Sequence, residues 1–141
     1  GEKILKTGKN NIMATFKSPQ VTVNRTSEEL FNKIGDLNNL QEIIPPSIKN
    51  FQSTQTTCSF KMEDMPQINL EITERIPFSK ISLSAKDSQI PFSLDCIISA
   101  KEDRCEAYLE INAELNMMMK MMVEKPLNNF LDLLASKMKN I

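Results

Sequence analysis

The sequence predicts an α+β fold in which a curved antiparallel sheet of six or seven strands wraps around a long C-terminal helix, with two short helices after the first strand. Residues 48–115 alternate apolar and polar side chains, whereas residues 27–44 and 117–141 repeat apolar side chains every three or four positions. The connections between the predicted strands are short, which favours a meander of neighbouring strands. A sheet with one apolar face has to cover that face, and the last helix is the predicted element long enough to do so.

The first strand is predicted over residues 14–24. Pro19 interrupts it, and because proline cannot donate a ladder hydrogen bond, we expect an edge strand or a bulge there. The preceding dozen residues are polar and basic and lack the apolar stretch of a signal peptide. We therefore predict a flexible N-terminal lead-in over residues 1–13 and a single domain over residues 14–141.

The two short helices are predicted over residues 27–35 and 37–43. Thr26 or Ser27 is a suitable N-cap for the first helix, and the glutamates of its first turn favour the positive end of the helix dipole. The pair Gly35-Asp36 then provides an end for the first helix and a cap for the second.

Six strands are predicted between Ile48 and Leu115. Their alternation is typical of an antiparallel sheet with one buried and one solvated face. The face expected to be solvated carries Glu71, Asp95, Glu106, Glu110 and Glu114, with Lys61 and Lys80 among them.

One long helix is predicted from about residue 117 to residue 139, roughly 35 Å at about 1.5 Å per residue. Asn116 is a suitable N-cap. Pro126 removes the hydrogen bond to the Met122 carbonyl and crowds that turn, so we expect a kink. A shorter helix that starts at Lys125 is the alternative.

Composition excludes several classes of function. With 17 basic and 18 acidic residues, the chain lacks the basic stripe typical of nucleic-acid-binding proteins. No apolar run of about 18 residues predicts a membrane span. The absence of histidine excludes Ser-His-Asp and Cys-His catalysis and the usual histidine metal sites. Three cysteines without a CxxC motif favour reduced thiols and a cytoplasmic location.

Three segments carry a resemblance to a known superfamily: FNKIGDLNNL (31–40), ITERIPF (72–78) and AELNMMMKMMVEKPL (113–127). With the order of elements, they resemble the helix-grip fold of the START-like (SRPBCC) superfamily, in particular small bacterial members related to polyketide cyclase/dehydrase-like proteins. The resemblance spans residues 14–141 and implies an apolar ligand held between the sheet and the long helix. The glycine-rich loop of the pollen-allergen branch is absent, so the ligands of that branch are not carried over.

The first functional hypothesis is non-catalytic binding of a small hydrophobic or lipid-like ligand between the sheet and the C-terminal helix, without a cofactor. It predicts a cavity of at least a few hundred Å³, the usual range of ligand pockets. The residues expected to line this pocket are Phe60, Leu70, Ile72, Glu74, Leu83, Phe92, Leu94, Cys96, Leu109, Ile111, Met119, Met122 and Phe130.

Glu74 lies on the predicted inward face of its strand. It is either a pocket acid with a raised pKa or a rim residue that pairs with Arg75 or Lys80. No second inward carboxylate lies at a spacing that supports an acid/base pair. A cyclase/dehydrase-type enzyme, the weakest hypothesis, would need Glu74 or Tyr108 to face the pocket. Because Tyr108 is phased outward, no catalytic residue is predicted.

The segment NMMMKMMVEKP, residues 116–126, places five methionines in six positions. At about 100° per residue, Met119 lies on the core stripe of the helix and Met122 at its border. Met117, Met118 and Met121 fall on other faces. Core packing, a pocket wall and a surface for a second copy or a partner are the open interpretations, since methionine suits all of them. The second functional hypothesis is therefore an interaction module, for example a homodimer, that uses Met117, Met118 and Met121.

A copper(I) site is a further interpretation of the methionines, because thioethers suit soft metals. Successive helix positions diverge, however, so only a pair such as Met118 and Met122 could bind the same ion. A third ligand would have to come from Cys58 or Cys96 across the core. A reactive thiolate would need a nearby cation or helix N-terminus, and the sequence indicates neither. Neither a metal site nor a catalytic cysteine is therefore predicted.

Overall fold

The computed structural model describes residues 5–7, through their backbone only, and residues 10–141. In chain order the elements are β1 (Leu5–Thr7), β2 (Asn11–Lys17), β3 (Val21–Val23), α1 (Ser27–Ile34), a 3₁₀ helix (Leu37–Glu42), β4 (Lys49–Ser53), β5 (Thr57–Lys61), β6 (Ile68–Ile76), β7 (Lys80–Ala85), β8 (Phe92–Lys101), β9 (Arg104–Leu115) and α2 (Met117–Met138). The predicted α+β class is confirmed, with two short helices early in the chain and one long helix at its end.

Within the described residues, nine strands form one antiparallel sheet in the order β1-β2-β9-β8-β7-β6-β5-β4, and β3 pairs with the remaining length of β9. Strands β4 to β9 are the predicted six-stranded meander. The sheet has more strands than the predicted six or seven because the first predicted strand is divided in two and because β1 adds a strand before it.

The division of the first strand occurs at Pro19, where the sequence predicts an interruption. β2 pairs with the C-terminal part of β9 and β3 with its N-terminal part. Between them, the Ser18 amide donates to the Leu109 carbonyl and the Leu109 amide donates to Ser18 Oγ, both at 2.9 Å. The serine hydroxyl thus satisfies a buried backbone donor at the point where the ladder is broken.

The predicted flexible lead-in, residues 1–13, lies partly outside the described residues. Of its described part, Leu5–Thr7 pairs with Asn11–Met13. β2 begins at Asn11 rather than at Ala14, because β9 extends to Leu115 and pairs that residue with Ile12.

The first helix begins with a capping box. Thr26 Oγ1 accepts a hydrogen bond from the Glu29 amide at 3.1 Å, and Glu29 Oε1 accepts one from the Thr26 amide at 2.8 Å. These two hydrogen bonds hold the pKa of Glu29 below its usual value. The second short helix is of the 3₁₀ type, and Asp36 caps it by accepting from the Asn38 amide at 3.0 Å.

The long helix α2 runs unbroken through Pro126 from a cap at Asn116, whose side chain accepts from the Met119 amide at 2.8 Å. The prediction of one long helix is therefore confirmed, and a start near Lys125 is wrong. The Phe60 ring of β5 stacks on Phe130 of α2 at a centroid distance of 5.8 Å, which fixes the helix to the sheet. Across the described residues, no helix combines the length and apolarity that crossing a membrane requires.

Candidate functional site

A small cavity with wholly apolar walls lies between the sheet and the helices, with a volume of about 50 Å³. Three parts of the chain enclose it: the helical segment around the 3₁₀ helix, strands β7 to β9, and the C-terminal half of α2. The lining residues are Ile34, Leu37, Leu40, Ile43, Ile81, Leu83, Leu94, Cys96, Leu109, Leu134 and Met138.

The size of this cavity falls short of the predicted few hundred Å³, so the observed state does not hold the pocket that the binding hypothesis predicts. Ligand pockets typically measure about 300–1,000 Å³, and one water molecule occupies about 30 Å³ of the liquid. Branched aliphatic side chains from all three walls fill the space that a ligand would need. A larger cleft, of about 410 Å³, lies elsewhere, at the sheet edge between Pro19–Thr22 and the last turns of α2.

Four of the predicted pocket residues line the cavity: Leu83, Leu94, Cys96 and Leu109. The others lie elsewhere: Phe60, Leu70, Ile111 and Phe130 are buried in the surrounding core, and Ile72, Phe92 and Met119 are half-buried against it. The prediction missed the walls made by α1, the 3₁₀ helix and the end of α2. Their apolar spacing of three and four residues is the signal that could have found them.

Met122 does not face the sheet, and its assignment to the pocket is wrong. Its side chain is 71% exposed. The inward position in the first two turns of α2 belongs instead to Lys120, which is 8% exposed and lies 3.9 Å from Glu124.

The assignment of Glu74 to the pocket is also wrong. A bulge between Ile72 and Glu74 shifts the register, so that Ile72 pairs with Leu83 but Glu74 pairs with Ser82 on the outer face. A shift of one residue moves the following side chains to the opposite face of a strand. Glu74 Oε1 lies 3.2 Å from Lys80 Nζ, and the Glu74 side chain is half-exposed. Glu74 is therefore a rim residue paired with Lys80, which is the alternative that the sequence left open.

Tyr108 lies on the outer face as predicted, with Lys17 Nζ 5.8 Å from the centre of its ring. Neither of the two side chains that a cyclase/dehydrase-type reaction was expected to use therefore faces the cavity.

The three cysteines are buried free thiols. Burial raises the pKa of Cys58 to about 11 and the pKa of Cys96 to about 12. Both therefore stay protonated at neutral pH and act as small apolar groups rather than nucleophiles. Within residues 10–141, no three cysteine or acidic side chains come together in a way that could hold a metal ion.

Four methionines at the start of α2 form an exposed surface, which we call the methionine patch: Met117, Met118, Met121 and Met122, exposed by 52%, 72%, 72% and 71%. It contains the three residues of the predicted partner surface and adds Met122. Lys120, the one charged residue within this stretch, points into the fold, so the patch itself is uncharged.

Comparison with solved structures finds the same fold at low sequence identity. Norcoclaurine synthase from Thalictrum flavum, solved with dopamine and hydroxybenzaldehyde, is 7% identical with a TM-score of 0.65, over 96% of this chain and 95% of that one. A conserved protein from Geobacillus kaustophilus is 12% identical with a TM-score of 0.64, over 92% of each chain. XoxI from Bacillus cereus is 10% identical with a TM-score of 0.61, over 87% of this chain and 92% of that one.

These matches show the fold alone: the chain has a helix-grip fold, as its resemblance implies. No protein-family model matches the sequence, and no curated protein matches it. Because one fold hosts many functions, the fold alone does not fix the function of this chain.

Proposed function

We propose that this chain is a non-catalytic binding protein for a small hydrophobic or lipid-like molecule, which it holds between the sheet and the helices. The observation that supports this most directly is the cavity of about 50 Å³, whose eleven lining side chains are all apolar. Such walls favour a ligand through the removal of apolar surface from water, worth about 25 cal/mol per Å². They offer no side chain that would fix a charged or strongly polar group.

Because the cavity of about 50 Å³ is too small for such a ligand, the proposal requires the walls to separate when a ligand enters. The strands are held by continuous hydrogen-bond ladders, whereas the segment around the 3₁₀ helix is tied to the sheet by isolated hydrogen bonds. The Leu37 amide donates to the Gln55 carbonyl at 3.0 Å, and Arg75 donates to the Gly35 carbonyl at 2.9 Å. Because local opening starts where few contacts hold an element, we expect this segment to move outward on binding.

The fold itself accommodates small molecules, since norcoclaurine synthase has been solved with dopamine and hydroxybenzaldehyde. In the present chain the wall from the sheet consists of Ile, Leu and Cys side chains, so we expect a less polar occupant than dopamine.

A fluorescence titration with the neutral apolar probe N-phenyl-1-naphthylamine tests this proposal. Cys96→Met adds one methylene and one methyl group to the cavity wall, whereas Cys58→Met adds the same groups at a buried site outside the cavity. We expect saturable binding by the wild type and by Cys58→Met, and at least about tenfold weaker binding by Cys96→Met, a difference of about 1.4 kcal/mol. No binding by the wild type, or equal binding by both variants, would contradict the proposal.

A second candidate function, self-association, is favoured by one observation, the methionine patch. Contiguous exposed apolar surface of this kind is typical of interaction sites, and methionine adapts to varied partners. Sedimentation velocity at two concentrations tests it: we expect a concentration-dependent dimer that Met118→Lys removes. Asn129→Lys, on the exposed side of α2 beyond the patch, should leave it unchanged. A wild type that is monomeric at both concentrations would rule this candidate out.

A further inference from the structure

A row of polar side chains crosses the outer face of the sheet from β6 to β2. Cross-strand pairing joins Glu74 to Ser82, Ser82 to Asp95, Asp95 to Glu110, and Glu110 to Lys17. Directly opposed residues on antiparallel strands have Cβ atoms about 4.5–5.5 Å apart, so each member of the row lies beside the next.

The two ammonium groups near this row pair with its outer carboxylates. Lys80 Nζ lies 3.2 Å from Glu74, and Lys17 Nζ lies 3.5 Å from Glu110. Three carboxylates therefore share two ammonium groups, and the carboxylate left between the pairs is Asp95.

Asp95 is buried, not solvated as the sequence predicts. It is 7% exposed, as is its cross-strand neighbour Ser82. Ser82 hydrogen-bonds its carboxyl group, but the oxygen Oδ1 is fully enclosed and has no hydrogen-bond partner among the described residues. An ionised carboxylate in this position loses hydration and faces the carboxylate of Glu110.

We propose that Asp95 is a proton-binding site that makes the sheet more stable as the pH falls. A proton is the cation that fits, because Oδ1 is enclosed by protein and a larger ion cannot reach it without displacing the atoms around it. Protonation removes the cost of burying a charge and the repulsion from Glu110 at the same time.

The surrounding charges agree with this assignment. Burial raises the pKa of Asp95, the Ser82 hydrogen bond and Lys80 lower it, and Glu110 and Glu74 raise it again, with a net upward shift. A carboxyl group whose pKa is higher in the folded than in the unfolded chain contributes stability below its unfolded pKa, about 3.9. That contribution is lost as the pH rises through the folded pKa.

Asp95→Asn tests the proposal, since asparagine keeps the shape of the protonated acid and cannot ionise. We expect its Tm to exceed that of the wild type by a few degrees at pH 7, and the difference to vanish as the pH falls below the unfolded pKa of about 3.9. Glu71→Gln, a half-exposed carboxylate on the same face outside the row, is the control and should leave the pH dependence of the wild type unchanged.

An NMR titration of the Asp95 carboxyl carbon in the wild type provides a readout that does not depend on any variant. We expect its midpoint above the usual aspartate value of about 3.9, and closer to that value in Glu110→Gln. A midpoint at or below about 3.9 in the wild type would overturn the proposal, as would an Asp95→Asn variant less stable than the wild type at pH 7.

Discussion

The two halves of α2 are apolar to different degrees, and the more apolar half is the more exposed one. In residues 117–123, six of seven side chains are apolar, yet four of them are exposed methionines. In residues 127–138, seven of twelve are apolar, and all but Leu133 are buried. Apolar content alone therefore does not decide which part of a helix enters a core.

The phase of the helix explains the difference. Lys120 lies on the same face as Leu127, Leu131 and Met138, at spacings of 7, 11 and 18 residues, and this face points to the sheet. The most buried position of the N-terminal half thus belongs to a lysine. Met119 is half-buried against the core, and the other four methionines point outward. The N-terminal half is consequently available for contacts, while the C-terminal half holds the fold together.

The largest expected difference between the two halves is the loss of unfolding free energy caused by an alanine substitution. Leu131→Ala removes a fully buried side chain and should lower the free energy of unfolding by about 2–5 kcal/mol. Met122→Ala removes a largely exposed one and should change it by less than about 0.5 kcal/mol. Urea denaturation of both variants measures the contrast, and equal losses would show that the methionine is packed.

The rate of methionine oxidation should also differ between the two halves, and it can be measured in the wild type without any substitution. In dilute hydrogen peroxide, Met118, Met121 and Met122 should form sulfoxides at least about tenfold faster than Met138, which is 1% exposed. Peptide mass spectrometry over time gives each rate, and addition of urea should abolish the difference. Similar rates in the folded monomer would contradict the exposure of the patch.

The smallest expected difference between the two halves concerns the cap that starts the N-terminal half. Asn116→Ala removes the acceptor of the Met119 amide and should cost about 1 kcal/mol. Because this half is loosely held, the loss should appear as faster amide hydrogen exchange in residues 117–122, while residues 127–138 remain protected. Equal loss of protection in both halves would show that α2 unfolds as one unit.

The order of elements and the fold could be predicted because both follow from local patterns. The period-two segments became β4 to β9, and the long period-3.6 segment became α2. Much of the site could not be predicted in the same way. Glu74 was assigned to the wrong face because a bulge after Ile72 leaves no mark in the alternation of apolar residues. The walls of the cavity come from three separated parts of the chain, so their spacing depends on how those parts pack.

The sequence by itself determined the α+β class, a cap at Thr26 or Ser27, the cap at Asn116 and the interruption at Pro19, because each depends on residues close together in the chain. Only the tertiary structure decided the size of the apolar cavity, the inward position of Lys120 and the burial of Asp95. These features depend on side chains from distant segments that compete for the same space, and no local periodicity records the outcome of that competition.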